Sequence, residues 1–455
     1  MISVVSAYLH FPGGSLDPCR SGALTRTVEA VPPTSTSRPH LHALTGLRFF
    51  AGLYVVLYHY ARWYLADGPP WIASFNLAGP VAVNLFFILS GLVLTYGSTD
   101  DAGRCNKPAR QFWFARFSRI YPLFVVAILL AVPSSVAALH HHHSTPAALS
   151  LALVQAVVAM LMLQAWIPHL AFIANAPGWS LSVEAFFYLL FPCIVHRLRC
   201  RNLRRLLALT IPLWLLSLIP AVVVELIERS GGLRGTGTTS VLGEALTPAL
   251  VAERLAAQSP LARLAEFCIG ICIGHFVVAR VEARALVPAE ALAASATIRR
   301  RLGLLGLVAI VALTVALTAV GGMRESTEIV LNSAFAAPLF AVLLVSLTLG
   351  AGPHVRMLSS RTFVRLGAAS YALYIVQDPF AWWWAKAVRL ELAQPTSLVL
   401  FIVAIIATSL ACERWIETPA RAALLRRRHT RAWLWVRTRT VAPARHEADL
   451  SVAVT

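Results

Sequence analysis

Apolar runs long enough to cross a bilayer recur along almost the whole chain, and no single motif constrains the fold as much. They fall at about residues 44–65, 79–98, 120–139, 147–165, 179–196, 206–227, 261–280, 302–321, 329–350, 368–385 and 397–415. A helix needs about 20 mostly apolar residues to span the hydrocarbon core, and only helices and closed barrels satisfy their backbone there. The alternating segments of about ten residues that mark barrel strands are not seen. Charged residues make up 13% of the chain, against about 25% in a soluble domain. The expected fold is all-α, a polytopic transmembrane bundle of about 10 (10–11) membrane-spanning helices.

The formal net charge is +18. In a soluble protein that would suggest nucleic acid, but here the arginines gather between apolar runs. Basic loops stay on the cytoplasmic side and meet anionic lipid, so membrane lipid, and no nucleic acid, is the expected partner. Residues 98–119 carry Arg104, Lys107, Arg110, Arg116 and Arg119, and residues 197–205 carry Arg197, Arg199, Arg201, Arg204 and Arg205. If both are cytoplasmic, an even number of crossings separates them, yet three apolar runs lie between. The preferred solution is that 147–165, or the segment just after it, dips in without crossing. Residues 280–301 and 356–365 are basic too, as is the tail with Arg421 and Arg426. Ten crossings with both termini cytoplasmic satisfy this pattern. Residues 1–43, rich in proline, serine and threonine, read as a disordered tail. Residues 44–421 form the transmembrane domain and 422–455 a basic cytoplasmic tail.

Four constellations stand out. Arg48 and His59 lie eleven residues apart on the first apolar run, close to three helical turns, and so share a face roughly 16 Å apart along the axis. Each alone is compatible with snorkelling or helix-to-helix bonding, but ionisable groups on one face of a span are functional by default. Arg116 and Arg119, three apart, can fork onto phosphates together, although alone they read as a topological anchor. Glu184, beside a deeply apolar run, needs a partner or a raised pKa. Ser90-Gly91 is read as helix packing. The seven cysteines show no metal spacing, and the His140–His143 tract is read as an incidental polar loop; no metal site is expected.

Taken in register, these elements resemble membrane acyltransferase family 3, the integral O-acyltransferases of sugars and related acceptors. The matching segments are Leu44-Thr-Gly-Leu-Arg48 with ten residues before His59; Asn84-Leu-Phe-Phe-Ile-Leu-Ser-Gly91; Arg116-x-x-Arg119-Ile-Tyr-Pro; Trp179-Ser-Leu-Ser-Val-Glu184; Ser370-Tyr-Ala-Leu-Tyr; and Glu417-x-Pro-x-Arg421. Thr45 and Asn84 stand where the family has aspartates, Ala185 where it has a second glutamate, and Gln377 where histidine is common. The resemblance implies an acyl-CoA donor, acetyl-CoA being the expected one, with no permanently bound cofactor. Arg48, Arg116 and Arg119 are the candidates for its phosphates. The implied acceptor is a carbohydrate or a lipid-linked glycan, with Trp179 and Ser182 as candidate substrate contacts. His59 is expected to remove the acceptor's proton or carry the acyl group, with Glu184 orienting the imidazole. The implied location is a bacterial cytoplasmic (inner) membrane. A transporter or flippase of a glycan or lipid intermediate fits the composition equally well, and a non-catalytic scaffold fits it less well. Oligomeric state is not encoded legibly.

Overall fold

The computed structural model describes residues 38–61, 69–232, 238–242, 244–285, 289–320, 325–388 and 395–426. Most of the two expected tails lies outside the described residues. The first helix already includes His42 and Ala43, and the last helical segment continues to Arg426, so the tail boundaries at 43 and 422 each fall inside a helix.

The described helices, in chain order, are α1 (His42–Tyr60), α2 (Pro70–Leu77), α3 (Val81–Ser98), α4 (Ala109–His140), α5 (Thr145–Met160), α6 (Gly178–Ile194), α7 (Leu203–Arg229), α8 (Pro248–Gln258), α9 (Pro260–Ala285), α10 (Ala289–Val320), α11 (Glu325–Leu349), α12 (Pro353–Leu358), α13 (Arg361–Ala368), α14 (Ser370–Val388) and α15 (Pro395–Cys412). A π-helical turn, Glu413–Glu417, follows α15. One antiparallel hairpin of two three-residue strands, β1 (Thr239–Val241) and β2 (Glu244–Leu246), interrupts the all-α pattern between α7 and α8.

Among the described residues six helical segments are long and apolar enough to cross a membrane: Val81–Ser98, Ala109–His140, Leu203–Arg229, Pro248–Ala285, Ser295–Ala319 and Thr396–Arg426. The other expected spans fall short for physical reasons. Helices α1 and α14 have 19 residues each, but Arg48 and two histidines dilute one and Gln377, Asp378 and Lys386 dilute the other. Helix α5 has 16 residues, about 24 Å at 1.5 Å per residue, less than the roughly 30 Å of hydrocarbon. After it the chain turns at Met162, whose φ is 56°, and makes two short 3-10 turns, Gln164–Trp166 and Pro168–Leu170, before α6. Irregular backbone at membrane depth needs protein around it. Here Gln164 and Asn175 are buried, and Asn175 donates to the Ile375 carbonyl at 2.9 Å. This is the stretch where loop charge calls for a dip.

The basic segments meet at one end of the bundle. Arg38 donates to the carbonyls of Tyr96 and Thr99 at 2.9 Å and to Glu282 at 3.0 Å. Arg199 reaches the Asp101 carbonyl at 2.8 Å, and Arg201 pairs with Glu282 at 3.4 Å. The Ala351 amide bonds to the Arg299 carbonyl at 2.9 Å, which holds the Arg299 stretch of α10 beside the end of α11.

Helices α3 and α9 form the centre of the core. Their backbones touch through glycine: a Cβ at Gly91 would overlap the Phe267 carbonyl, and one at Gly270 the Ile88 carbonyl. Around this seam the rings of Phe187 and Phe267 stack at 4.6 Å and those of Phe112 and Phe191 at 4.9 Å. The obstacle at Gly270 is backbone, which cannot rotate away. Gly270→Leu is therefore expected to cost about 3 kcal/mol or more, read as a lost or strongly lowered melting transition in detergent. Gly97→Ala is the control, since nothing lies within 4 Å of a Cβ there; an unchanged Gly270→Leu transition would refute the close approach.

Candidate active site

Five helices enclose a cavity of about 100 Å³. Arg48 comes from α1, Ser90 from α3, Arg116 and Arg119 from α4, Ser180, Glu184 and Tyr188 from α6, and Ser370, Tyr371 and Tyr374 from α14. Three arginines and one glutamate give the lining an excess of two positive charges.

Local sequence explains the placement. Arg116 and Arg119 are one turn apart and point the same way, three residues before Pro122 interrupts the hydrogen-bond ladder of α4. The Ile120 carbonyl in that stretch accepts from Tyr371 Oη at 2.5 Å, which ties α14 to α4. The Arg116 guanidinium lies over the Phe112 ring, 5.5 Å from its centroid. Glu184 Oε1 accepts two hydrogen bonds, from Ser90 Oγ at 3.0 Å and from Tyr188 Oη at 2.5 Å. Tyr188 is one helical turn after Glu184, so α6 supplies both carboxylate and donor.

Arg48 lies within electrostatic reach of Arg119, Glu184 and Glu417. Arg116 is likewise close to Arg119, Glu184 and Arg421. The end of the Glu417-x-Pro-x-Arg421 segment thus returns to the same cluster, through a π-helical turn of a kind found mostly at functional sites. Two lining donors, Arg116 Nε and Ser370 Oγ, are buried without a hydrogen-bond partner, and each such group costs about 1–3 kcal/mol unless something accepts from it. The cavity is therefore built to surround an acceptor-rich, anionic group.

The remaining expected residues lie elsewhere. His59 is exposed at the far end of α1, beside the rings of Tyr58 and Tyr60, and does not line the cavity. Glu184 thus shares its surroundings with Arg48. Near the His59 end, Asp378 accepts from the Ala176 amide at 3.2 Å and lies within electrostatic reach of Tyr60. Trp179 packs edge-to-face on Phe87 at 6.2 Å, outside the lining. Ser182 is buried, accepting from the Ala165 amide and donating to the Met162 carbonyl at 2.5 Å, so it braces the strained turn after α5. Among the four departures from the family pattern, Asn84 accepts from Arg263 at 3.4 Å. Gln377 is fully buried and donates to the Tyr374 carbonyl.

Sequence reasoning missed Tyr188, Tyr371, Tyr374 and Ser370 as lining residues. Their signal was available: Tyr188 follows Glu184 by one turn, and the other three share the Ser370-Tyr-Ala-Leu-Tyr segment. Among the described residues no group of three metal-ligating side chains occurs.

A bundle of apolar helices around an arginine-lined cavity, carrying these motifs, defines a membrane-embedded group-transfer protein class. The chain belongs to the acyltransferase family, whose domain model matches residues 41–414. It is 36% identical over 172 residues to the acyltransferase MdmB of Streptomyces mycarofaciens, covering 36% of this chain and 42% of that one. It is 28% identical over 199 residues to the peptidoglycan O-acetyltransferase OatA of Listeria monocytogenes, covering 41% and 29% respectively. The O-acetyltransferase OatA of Staphylococcus aureus matches at 26% over 180 residues, 36% and 27% of the two chains. The chain therefore spans less than half the length of these relatives. No solved structure matches it.

Proposed function

We propose that the protein is a membrane O-acyltransferase moving an acetyl group from acetyl-CoA to a hydroxyl of a carbohydrate or lipid-linked glycan. The observation that carries this reading is the cavity, where three arginines and two unsatisfied buried donors surround one hydrogen-bonded glutamate. Arg116 and Arg119 meet the donor's phosphates in this reading, since paired guanidinium groups match phosphate geometry. Glu184 keeps the guanidinium cluster from repelling itself.

Arg48 and His59 are roughly 16 Å apart along α1, a gap that the extended pantetheine arm between the phosphates and the sulfur of CoA bridges. His59 then takes the proton of the acceptor hydroxyl as its oxygen attacks the thioester carbonyl. The C–S bond breaks, CoA leaves as thiolate, and the proton passes from His59 to that sulfur, leaving the ester. With the arginine end in the cytoplasm and a bacterial cytoplasmic membrane around the bundle, the donor enters from the compartment that makes it. The O-acetyltransferase relatives, one of them a peptidoglycan O-acetyltransferase, support a carbohydrate acceptor.

Membrane vesicles given radiolabelled acetyl-CoA and a glycan acceptor test this reading. Arg116→Ala and Arg119→Ala are expected to raise the donor KM by about tenfold or more with a smaller change in kcat. Unchanged donor dependence would remove the arginines from donor recognition. Solute movement with no donor consumed would replace the enzyme by a transporter.

A further inference from the structure

A second cavity, of about 700 Å³, lies at the end of the bundle where the basic segments converge. It is bounded by residues 299–307 of α10, residues 350–352 just after α11 and the short helix α12, and its charged lining is Arg299, Arg300 and Arg356. His354 also lines it and is 92% buried, yet both ring nitrogens lack a hydrogen-bond partner. Burial holds the His354 pKa below the usual imidazole value, so near neutral pH the ring is uncharged and keeps one N–H to donate.

Among the described residues no carboxylate lines this cavity. Among the described residues the side chains of Arg300, Arg356 and His354 make no hydrogen bond or ion pair. A buried donor left unpaired costs about 1–3 kcal/mol, so the site lacks an anion with several acceptor oxygens.

The surface leading away from it identifies the anion's carrier. Leu304 lines the cavity, and from it Leu304, Val308, Val311 and Val315 run along one face of α10, each 58–63% exposed. Their spacing of four, three and four residues is that of a continuous helical stripe. Cationic pocket and bare apolar track thus lie in line on one helix, as head and tail do in a lipid. We propose that this cavity is a binding site for an anionic phospholipid, with the headgroup phosphate held by Arg299, Arg300, Arg356 and His354 and an acyl chain lying along Leu304–Val315. Basic pockets between spanning helices on the cytoplasmic side suit this role. Helix α12 also carries Leu358, whose carbonyl abuts Gly46, two residues before Arg48, so an occupied site braces the arginine end of α1.

The test is native mass spectrometry of the full-length protein in mild detergent with equimolar phosphatidylglycerol and phosphatidylcholine. The wild type is expected to retain one phosphatidylglycerol per chain, about tenfold over phosphatidylcholine. Arg300→Ala/Arg356→Ala and, separately, His354→Leu are expected to lower that retention by about tenfold, the loss of one or two charge-assisted bonds. Arg204→Ala, an exposed arginine on another basic segment, should leave it unchanged. Melting temperatures check that each variant is folded, and Arg300→Lys/Arg356→Lys, which keeps the charge, should retain lipid in part. Equal retention of the two lipids, or variants that match wild type, would overturn the proposal. So would an equal drop in Arg204→Ala, which would mean diffuse surface charge. Displacement of the lipid by inorganic phosphate or by CoA would assign the site to a soluble phosphate. None of these readouts depends on acyl transfer.

Discussion

Replacing His59 by alanine is expected to lower label transfer from acetyl-CoA to the acceptor by about 10²–10⁴-fold, the usual contribution of a positioned general base. Stability should stay within about 0.5 kcal/mol, because the side chain is exposed at the end of α1. Donor binding should stay as well, since the arginines lie at the other end of the helix. That combination separates chemistry from folding: kcat collapses while the melting temperature and the donor's dissociation constant hold. A stably expressed His59→Ala protein that transfers label at the wild-type rate would take this residue out of the reaction.

Glu184→Gln is expected to act on both activity and stability. The amide keeps an oxygen for Ser90 and Tyr188 but removes the negative charge lining a cavity with three arginines. Losing the one negative charge among three arginines is expected to lower the melting temperature, and transfer should fall by about 100-fold. Glu184→Asp keeps the charge but shortens its reach to the two hydroxyls. It should recover more of the stability than of the activity. A Glu184→Gln enzyme of wild-type rate would remove the carboxylate from the site.

The parts of the site that sequence made legible share one property: a charge inside an apolar run. Arg48, Arg116, Arg119 and Glu184 stand out because hydrocarbon makes each of them expensive, and three helices bring them to one cavity. Tyr188, Tyr371 and Tyr374 did not stand out. A tyrosine in a span looks like core until its hydroxyl is seen to meet Glu184, the Ile120 carbonyl or Ser180. Ser182 shows the reverse error: two residues before Glu184, it reads as a substrate contact, but it stabilises a turn. The same logic governs the spans. Helices α3, α4, α7 and α9 were plain from hydropathy, whereas α1 and α14 carry charged and polar groups within their length and so resemble spans least. The hairpin β1–β2 lies in a segment without strong periodicity of either kind, and three-residue strands leave no pattern to read.

The two ends of α1 are held by different materials. At the Arg48 end, Gly46 lies against the Leu358 carbonyl and Gly367 against the Thr45 carbonyl, main chain on main chain. At the His59 end the contacts are rings: Tyr58 over Gly79, and Tyr60 against Phe401 at 4.9 Å. Peptide groups in contact have no rotamers, while aromatic side chains do. The end bearing Arg48 therefore tolerates almost no change in residue size, and the end bearing His59 can be refitted by exchanging side chains. In the proposed function, such a chain can be retuned to a new acceptor at one end without disturbing donor recognition at the other.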